Sequence, residues 1–205
     1  MKKTNFQAIA KDVIETEIKS LKKLKSGINK SFSKAVEAIL NCKNGKVIIS
    51  GVGKSGIIAK KISSTFSSVG VPSFFVDASA CSHGDLGSIG NSSNDVLILI
   101  SFSGETAELK NIIQYANRNK ITLIGIVSKK NSILYKASDI KLFIPEVKEA
   151  GLGIVPTSST TESLAIGDCL AIAALNKKKF NKKNFKNLHP KGSLGAQLKT
   201  AEDLM

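Results

Sequence analysis

Val47-Ile48-Ile49-Ser50-Gly51-Val52-Gly53-Lys54-Ser55-Gly56 runs from a short apolar stretch into a glycine-rich turn, and the helical pattern of Ser55 to Ser68 follows at once. A nearly continuous apolar run bounded in this way reads as a strand buried on both faces, the signature of a parallel sheet between helical layers. The pattern repeats at Val96 to Ile100, where the strand runs into Ser101-Phe102-Ser103-Gly104-Glu105-Thr106 and a second helix. In both loops small residues let backbone N–H groups approach a ligand, and a helix N-terminus adds unpaired donors with partial positive charge. Two anion-holding loops on one sheet point to a phosphorylated metabolite.

Working outward, further apolar runs at Ser73 to Val76, Thr122 to Val127 and Ile140 to Ile144 read as strands, and helical patterns fall at Glu105 to Asn117 and Ile133 to Lys136. Thr161 to Leu175 reads as a strongly apolar helix. From Phe6 to about Asn41, apolar residues recur at intervals of three and four, which predicts helix broken near Gly27. The order gives an α/β fold: a doubly wound, five-stranded parallel sheet flanked by helices, flavodoxin-like, with N-terminal helices and ligand loops at the carboxyl ends of the strands. We expect one domain over residues 1–205, with N-terminal helices in 1–45, the α/β core in 46–176 and a tail in 177–205. From Lys177 the tail reads as basic and irregular until Leu194, suited to packing outside its own core.

The net charge of +14 raises nucleic acid as a partner. Almost all of that charge is lysine, Arg118 being the one arginine, and no aromatic or arginine-rich reading element accompanies it. Specific nucleic-acid binding is therefore not expected, although the field would attract an anionic substrate. No apolar stretch approaches the length needed to cross a membrane, and the N-terminus lacks the apolar core of a secretory signal, so the expected location is the cytoplasm. Cys42, Cys81 and Cys169 fall in no metal-binding or paired spacing and read as buried thiols.

Gly51, Gly53 and Gly56 also satisfy G-x-G-x-x-G, with Asp77 ending the next strand where a dinucleotide-binding acid would sit. Lys54 occupying the tight turn, the want of a second domain and the idle serine loop all argue against that reading. A Walker A loop fails because Ile48 stands where its first glycine is required. The serine loop is more specific: three hydroxyls around Gly104, with helix-terminal amides, can surround a phosphate without formal charge. A lone helix cap at Ser103 or Thr106 would not explain all three hydroxyls opposite a Gly-Lys-Ser loop.

Five motifs occur in order: Gly51-Val-Gly-Lys-Ser-Gly56, Ser82-His-Gly-Asp-Leu-Gly87, Ser101-Phe-Ser-Gly-Glu-Thr106, Pro156-Thr-Ser-Ser-Thr-Thr161 and His189-Pro-Lys-Gly-Ser-Leu-Gly195. From about Val47 to Met205 the chain resembles the sugar isomerase (SIS) domain of D-arabinose-5-phosphate isomerases. The resemblance implies interconversion of D-ribulose 5-phosphate and D-arabinose 5-phosphate, feeding Kdo for lipopolysaccharide or capsule, with no cofactor and no catalytic metal. Position by position, it places Lys54, Glu108, Glu149 and His189 on the catalytic set. It places His83 on a substrate-contacting position, and Ser55, Ser101, Ser103 and Thr106 on phosphate-binding ones, with Gly53 in the substrate-binding loop. It also implies a homotetramer whose active sites borrow a residue from a neighbouring subunit, a role suited to the tail that carries His189.

The chain departs from the family in three places. Asp77 stands where a histidine that can bind an inhibitory metal is usual. Glu149-Ala150 is followed by Gly151-Leu152 without the family's Cys-Pro, and Gly90 to Asn94 carries two inserted residues. Many members continue into two regulatory CBS domains, and Ala201 to Met205 falls about where these begin; the expectation here is the isomerase domain without them.

The chemistry is consistent with that set. Aldose–ketose isomerisation moves a proton between C1 and C2 through an enediol, which needs a base that returns the proton and a donor to the carbonyl oxygen. Glu108, one helical turn past the serine loop, or Glu149, after the fifth strand, could be the base. Lys54 could neutralise the enediolate and His189 could shuttle protons between oxygens. The rival reading is a noncatalytic sugar-phosphate-binding regulatory domain, which would share the loops without needing the acid–base groups.

Overall fold

Five strands, β1 (Val47–Gly51), β2 (Ser73–Phe75), β3 (Val96–Ile100), β4 (Thr122–Val127) and β5 (Ile140–Phe143), pair in parallel in the order β2-β1-β3-β4-β5. This is a computed structural model, and it describes residues 4–90, 94–178 and 181–189. The strand register sets Val47 beside both Ser73 and Val96, and Val96 beside Thr122. Every residue of β1 and β3 is buried, as their uninterrupted apolar sequences require.

Helices cover both faces. On one, α1 (Phe6–Gly27), α2 (Lys30–Asn41), α3 (Lys54–Ser68) and α7 (Ser158–Lys177) bring Leu24, Ile39, Phe66 and Leu170 against Ile49, Ile98 and Ile126. On the other, α4 (Ala78–Cys81), α5 (Lys110–Arg118) and α6 (Ile133–Ala137) bring Cys81, Ile112 and Leu134 against Ile48, Leu97 and Leu123. Each such buried aliphatic side chain contributes about 1.5–3 kcal/mol.

The chain reverses winding between β1 and β3. The helix after β1 lies on one face and the helix after β3 on the other, so the two loops part and open a crevice at the carboxyl ends of these neighbouring strands.

Several boundaries differ from the sequence reading. The helix expected from Glu105 begins later: Thr106 is extended, a 3₁₀ turn spans Ala107–Leu109, and α5 starts at Lys110. Glu105 instead reaches across to accept the Ile133 N–H at 3.0 Å. Helix α7 starts at Ser158 rather than Thr161, because an acidic side chain outside the helix satisfies its first amides. Within the tail read as irregular, α8 (Lys182–Leu188) forms on a reciprocal capping box between Asn181 and Asn184. Cys81 is buried and Cys42 half-buried, but Cys169 is exposed on the outer side of α7, correcting the expectation of three buried thiols. Leu194 and most of the two-residue insertion lie outside the described residues.

Candidate active site

The first loop is shaped by its glycines. A Cβ on Gly56 would sit 2.7 Å from the Gly51 carbonyl oxygen, and Gly53 holds φ +58°, ψ −127°, a conformation costly for any residue with a side chain. This tight turn lets α3 begin at Lys54, placing Lys54 and Ser55 in the first turn of a 15-residue helix. The N-cap residue Gly53 offers no side-chain hydrogen bond to that helix.

The serine loop is tied down internally. Ser101, 3% exposed, has its Oγ 2.7 Å from the Thr106 Oγ1 and accepts the Gly104 N–H at 3.0 Å. The Ser103 hydroxyl accepts the Glu105 N–H at 3.3 Å and is exposed. Outer anchors fix the loop to its neighbours: the Phe102 carbonyl accepts from Ser128 N–H and the Gly104 carbonyl from Leu134 N–H. Ser101, Ser103 and Thr106 thus share one loop, but Ser101 and Thr106 already satisfy each other.

Across the crevice, Glu149 reaches the N-terminus of α7. Its Oε2 accepts the Thr157 N–H at 2.7 Å, the Thr157 hydroxyl at 3.1 Å and the Ser159 N–H at 3.3 Å, and the Thr157 hydroxyl accepts the Ala150 N–H in turn. Burial pushes the Glu149 pKa up, but hydrogen bonds from Ser159 and Thr157 together outweigh it and hold the carboxyl below its usual range. The positive end of the α7 dipole acts in the same direction. Glu149 is a fixed anion.

Lys54, Ser55 and Glu149 line one cavity of about 420 Å³, closed by Phe102 from the serine loop and Ser159 and Thr160 of α7. That size suits a small metabolite. Among the described residues, His83, Glu108 and His189 do not line it. His83 is exposed in the turn after α4, and Glu108 is exposed in the 3₁₀ turn that packs against α4; the Asn111 amide donates to the Ser82 hydroxyl at 3.0 Å and joins these two segments. His189 caps the end of α8, its ring stacked on Phe185 at 3.8 Å with Nδ1 2.9 Å from the Phe185 carbonyl oxygen.

Asp77 serves the local structure, capping α4 by accepting the Ser79 N–H at 2.8 Å and the Ala80 N–H at 3.4 Å. The sequence reading assigns no role to Thr157 and Ser159, although the Pro156 to Thr161 motif that contains them is plain to see, and none to Glu162 on α7.

Comparison with known proteins agrees with this geometry. The model of the SIS domain matches residues 39–173. The arabinose 5-phosphate isomerase KdsD of Yersinia pestis is 45% identical over 195 residues, 95% of this chain, and KdsD of Francisella tularensis is 45% identical over 192 residues, 92% of this chain. The chain spans 58% of the length of each of these relatives. The solved structure of Escherichia coli CFT073 c3406 in complex with arabinose 5-phosphate superposes with a TM-score of 0.86 at 37% identity, covering 93% of this chain and 100% of that one. On its crevice between β1 and β3, its motifs and these matches, the chain belongs to the SIS domain family.

Proposed function

We propose that this chain is an aldose–ketose isomerase that interconverts D-ribulose 5-phosphate and D-arabinose 5-phosphate, supplying Kdo synthesis. The observation that carries the reading is the single cavity shared by Lys54, Ser55 and Glu149 beside the serine loop. The similarity to proteins named arabinose 5-phosphate isomerase, and to one bound to arabinose 5-phosphate, supports the substrate.

In this reading the serine loop and the start of α3 receive the phosphate through Ser101, Ser103, Thr106, Ser55 and the Gly53 backbone. Ser101 and Thr106 would exchange part of their mutual hydrogen bond for the phosphate oxygens. Lys54 faces the developing enediolate charge across the cavity from Glu149 and stabilises it. Glu108, whose carboxylate is not spent on capping a helix, takes the proton from one carbon and returns it to the other. Glu149, committed by three hydrogen bonds, orders the sugar end of the cavity as a fixed acceptor. His83, in the turn after α4, contacts substrate.

His189 completes the site from a neighbouring subunit of a homotetramer. Supporting this, its own chain does not bring it to the cavity lining, and α1 exposes Phe6, Ile9 and Ile14 at 77%, 54% and 58%, apolar area suited to burial against another copy. The active protein requires no metal or cofactor for this proton transfer, and it functions in the cytoplasm.

The test is incubation with ribulose 5-phosphate in deuterated water. The expected product is arabinose 5-phosphate carrying solvent deuterium at C2. Binding of the sugar phosphate without exchange or turnover would instead identify a noncatalytic regulatory domain.

A further inference from the structure

Glu162 lies on α7 with none of its surface exposed, and neither carboxylate oxygen has a hydrogen-bond partner among the described residues. One turn earlier on the same helix face, the Ser158 hydroxyl is likewise buried and unpartnered. An unpaired carboxylate in such surroundings is strongly disfavoured, so the side chain rests as the neutral acid. Its neighbours on the helix, Ser159, Thr160 and Ser163, line the cavity together with Lys54 and Glu149. Glu162 therefore stands directly behind the wall that presents Glu149.

The charges around it are few. Burial, reinforced by the Glu149 carboxylate and opposed by Lys23 of α1, pushes the Glu162 pKa up to about 8. Of the other helices packed on α7, α2 brings no charge that acts on it, and Lys61 of α3 is engaged by Asp168 two turns further along α7. Glu149 and Glu162 thus form an unequal pair, one hydrogen-bonded and ionised, the other bare and protonated.

We propose that Glu162 is a positioning residue of the isomerisation, a buried carboxylic acid whose neutral form keeps Glu149 and its cavity singly negative. The inference rests on the isomerase reading above. Substrate phosphate and the enediolate both bring negative charge to a site whose cation is Lys54. Loss of the Glu162 proton to solvent base would place a second carboxylate behind Glu149, weakening the attraction for both. The consequence is an alkaline limit on activity set by a residue that does not touch substrate.

The experiment uses the full chain labelled with ¹³C at glutamate carboxyls. One glutamate resonance should titrate near pH 8, vanish in Glu162→Gln, and shift to a lower midpoint in Glu149→Gln. In parallel, wild-type kcat/KM should fall about tenfold per pH unit above that midpoint. In folded Glu162→Gln, verified by its amide spectrum, the limb should move up by a pH unit or more, whereas Glu162→Asp should keep it. The ratio of activity at pH 9 to that at pH 7 is the readout, because a merely structural loss would lower both values alike. A resonance titrating in the ordinary carboxylate range, or an alkaline limb identical in wild type and Glu162→Gln, overturns the proposal. A coupled titration in a protein that turns over no ribulose 5-phosphate would sustain the Glu149–Glu162 pair and remove the isomerase reading instead.

Discussion

Ser101 and Ser103 do different work before any ligand arrives, and their substitutions should separate. Ser101 is buried and holds Gly104 and Thr106, so Ser101→Ala removes a phosphate contact and loosens the loop. Ser103 is exposed and holds only the Glu105 amide. Each change should cost about 1.5–3 kcal/mol of binding to a charged phosphate, read as a raised KM. Kinetics of both variants check this; unchanged KM and kcat in both would remove the phosphate assignment. The buried Glu162 and the half-buried Glu149 give a second expectation, in stability against pH. Glu162 binds its proton more tightly folded than unfolded, so its contribution is full below the unfolded value of 4.5 and is lost as pH rises towards about 8. Glu149, whose pKa is lowered, has the opposite sign, its contribution lost as pH falls. Thermal melts from pH 5 to 8 should decline less steeply for Glu162→Gln than for wild type. Parallel curves would show that Glu162 keeps no proton in this range.

Among the elements, the turn from β1 into α3 is the least tolerant. Gly56→Ala drives a methyl into the Gly51 carbonyl oxygen, and a shift of either strand or helix should cost about 1–3 kcal/mol in chemical denaturation. A loss of less than a few tenths would mean the turn relaxes freely. The central strands are legible in the sequence because they are buried on both faces, so Val96 to Ile100 and Thr122 to Val127 show their limits as apolar runs. The start of α7 is not, because its cap comes from Glu149, eight residues before Thr157, and Ser158 to Thr160 are weak helix formers without it. Glu162 leaves a readable trace: it precedes Ile166 and Leu170 at intervals of four, on the stripe that enters the core. An acid on a core stripe is a signal that composition alone conceals. The site loops are legible because their glycines and hydroxyls are local in sequence, whereas the meeting of Lys54 with Glu149 depends on α7 folding back beside α3.

For the whole molecule, the open question of chemistry becomes one of assembly. Lys54 and Glu149 meet within a chain, while His189 sits at the end of a short helix and stacks on Phe185 of that same helix. Exposed Phe6, Ile9 and Ile14 on α1 supply apolar area for association, and closed symmetric oligomers are the common way to bury it. Under the proposed borrowing, two defects on different chains complement each other. His189→Ala and Glu149→Ala should each be inactive alone. Dissociated together and allowed to reassemble, they should regain activity, since some mixed sites combine an intact Glu149 from one chain with an intact His189 from another. Wild-type reassembly under the same conditions sets the reference, and light scattering reports whether mixed oligomers have formed. Mixed oligomers without recovered turnover would place His189 outside its neighbour's site and leave each cavity to be completed by its own chain.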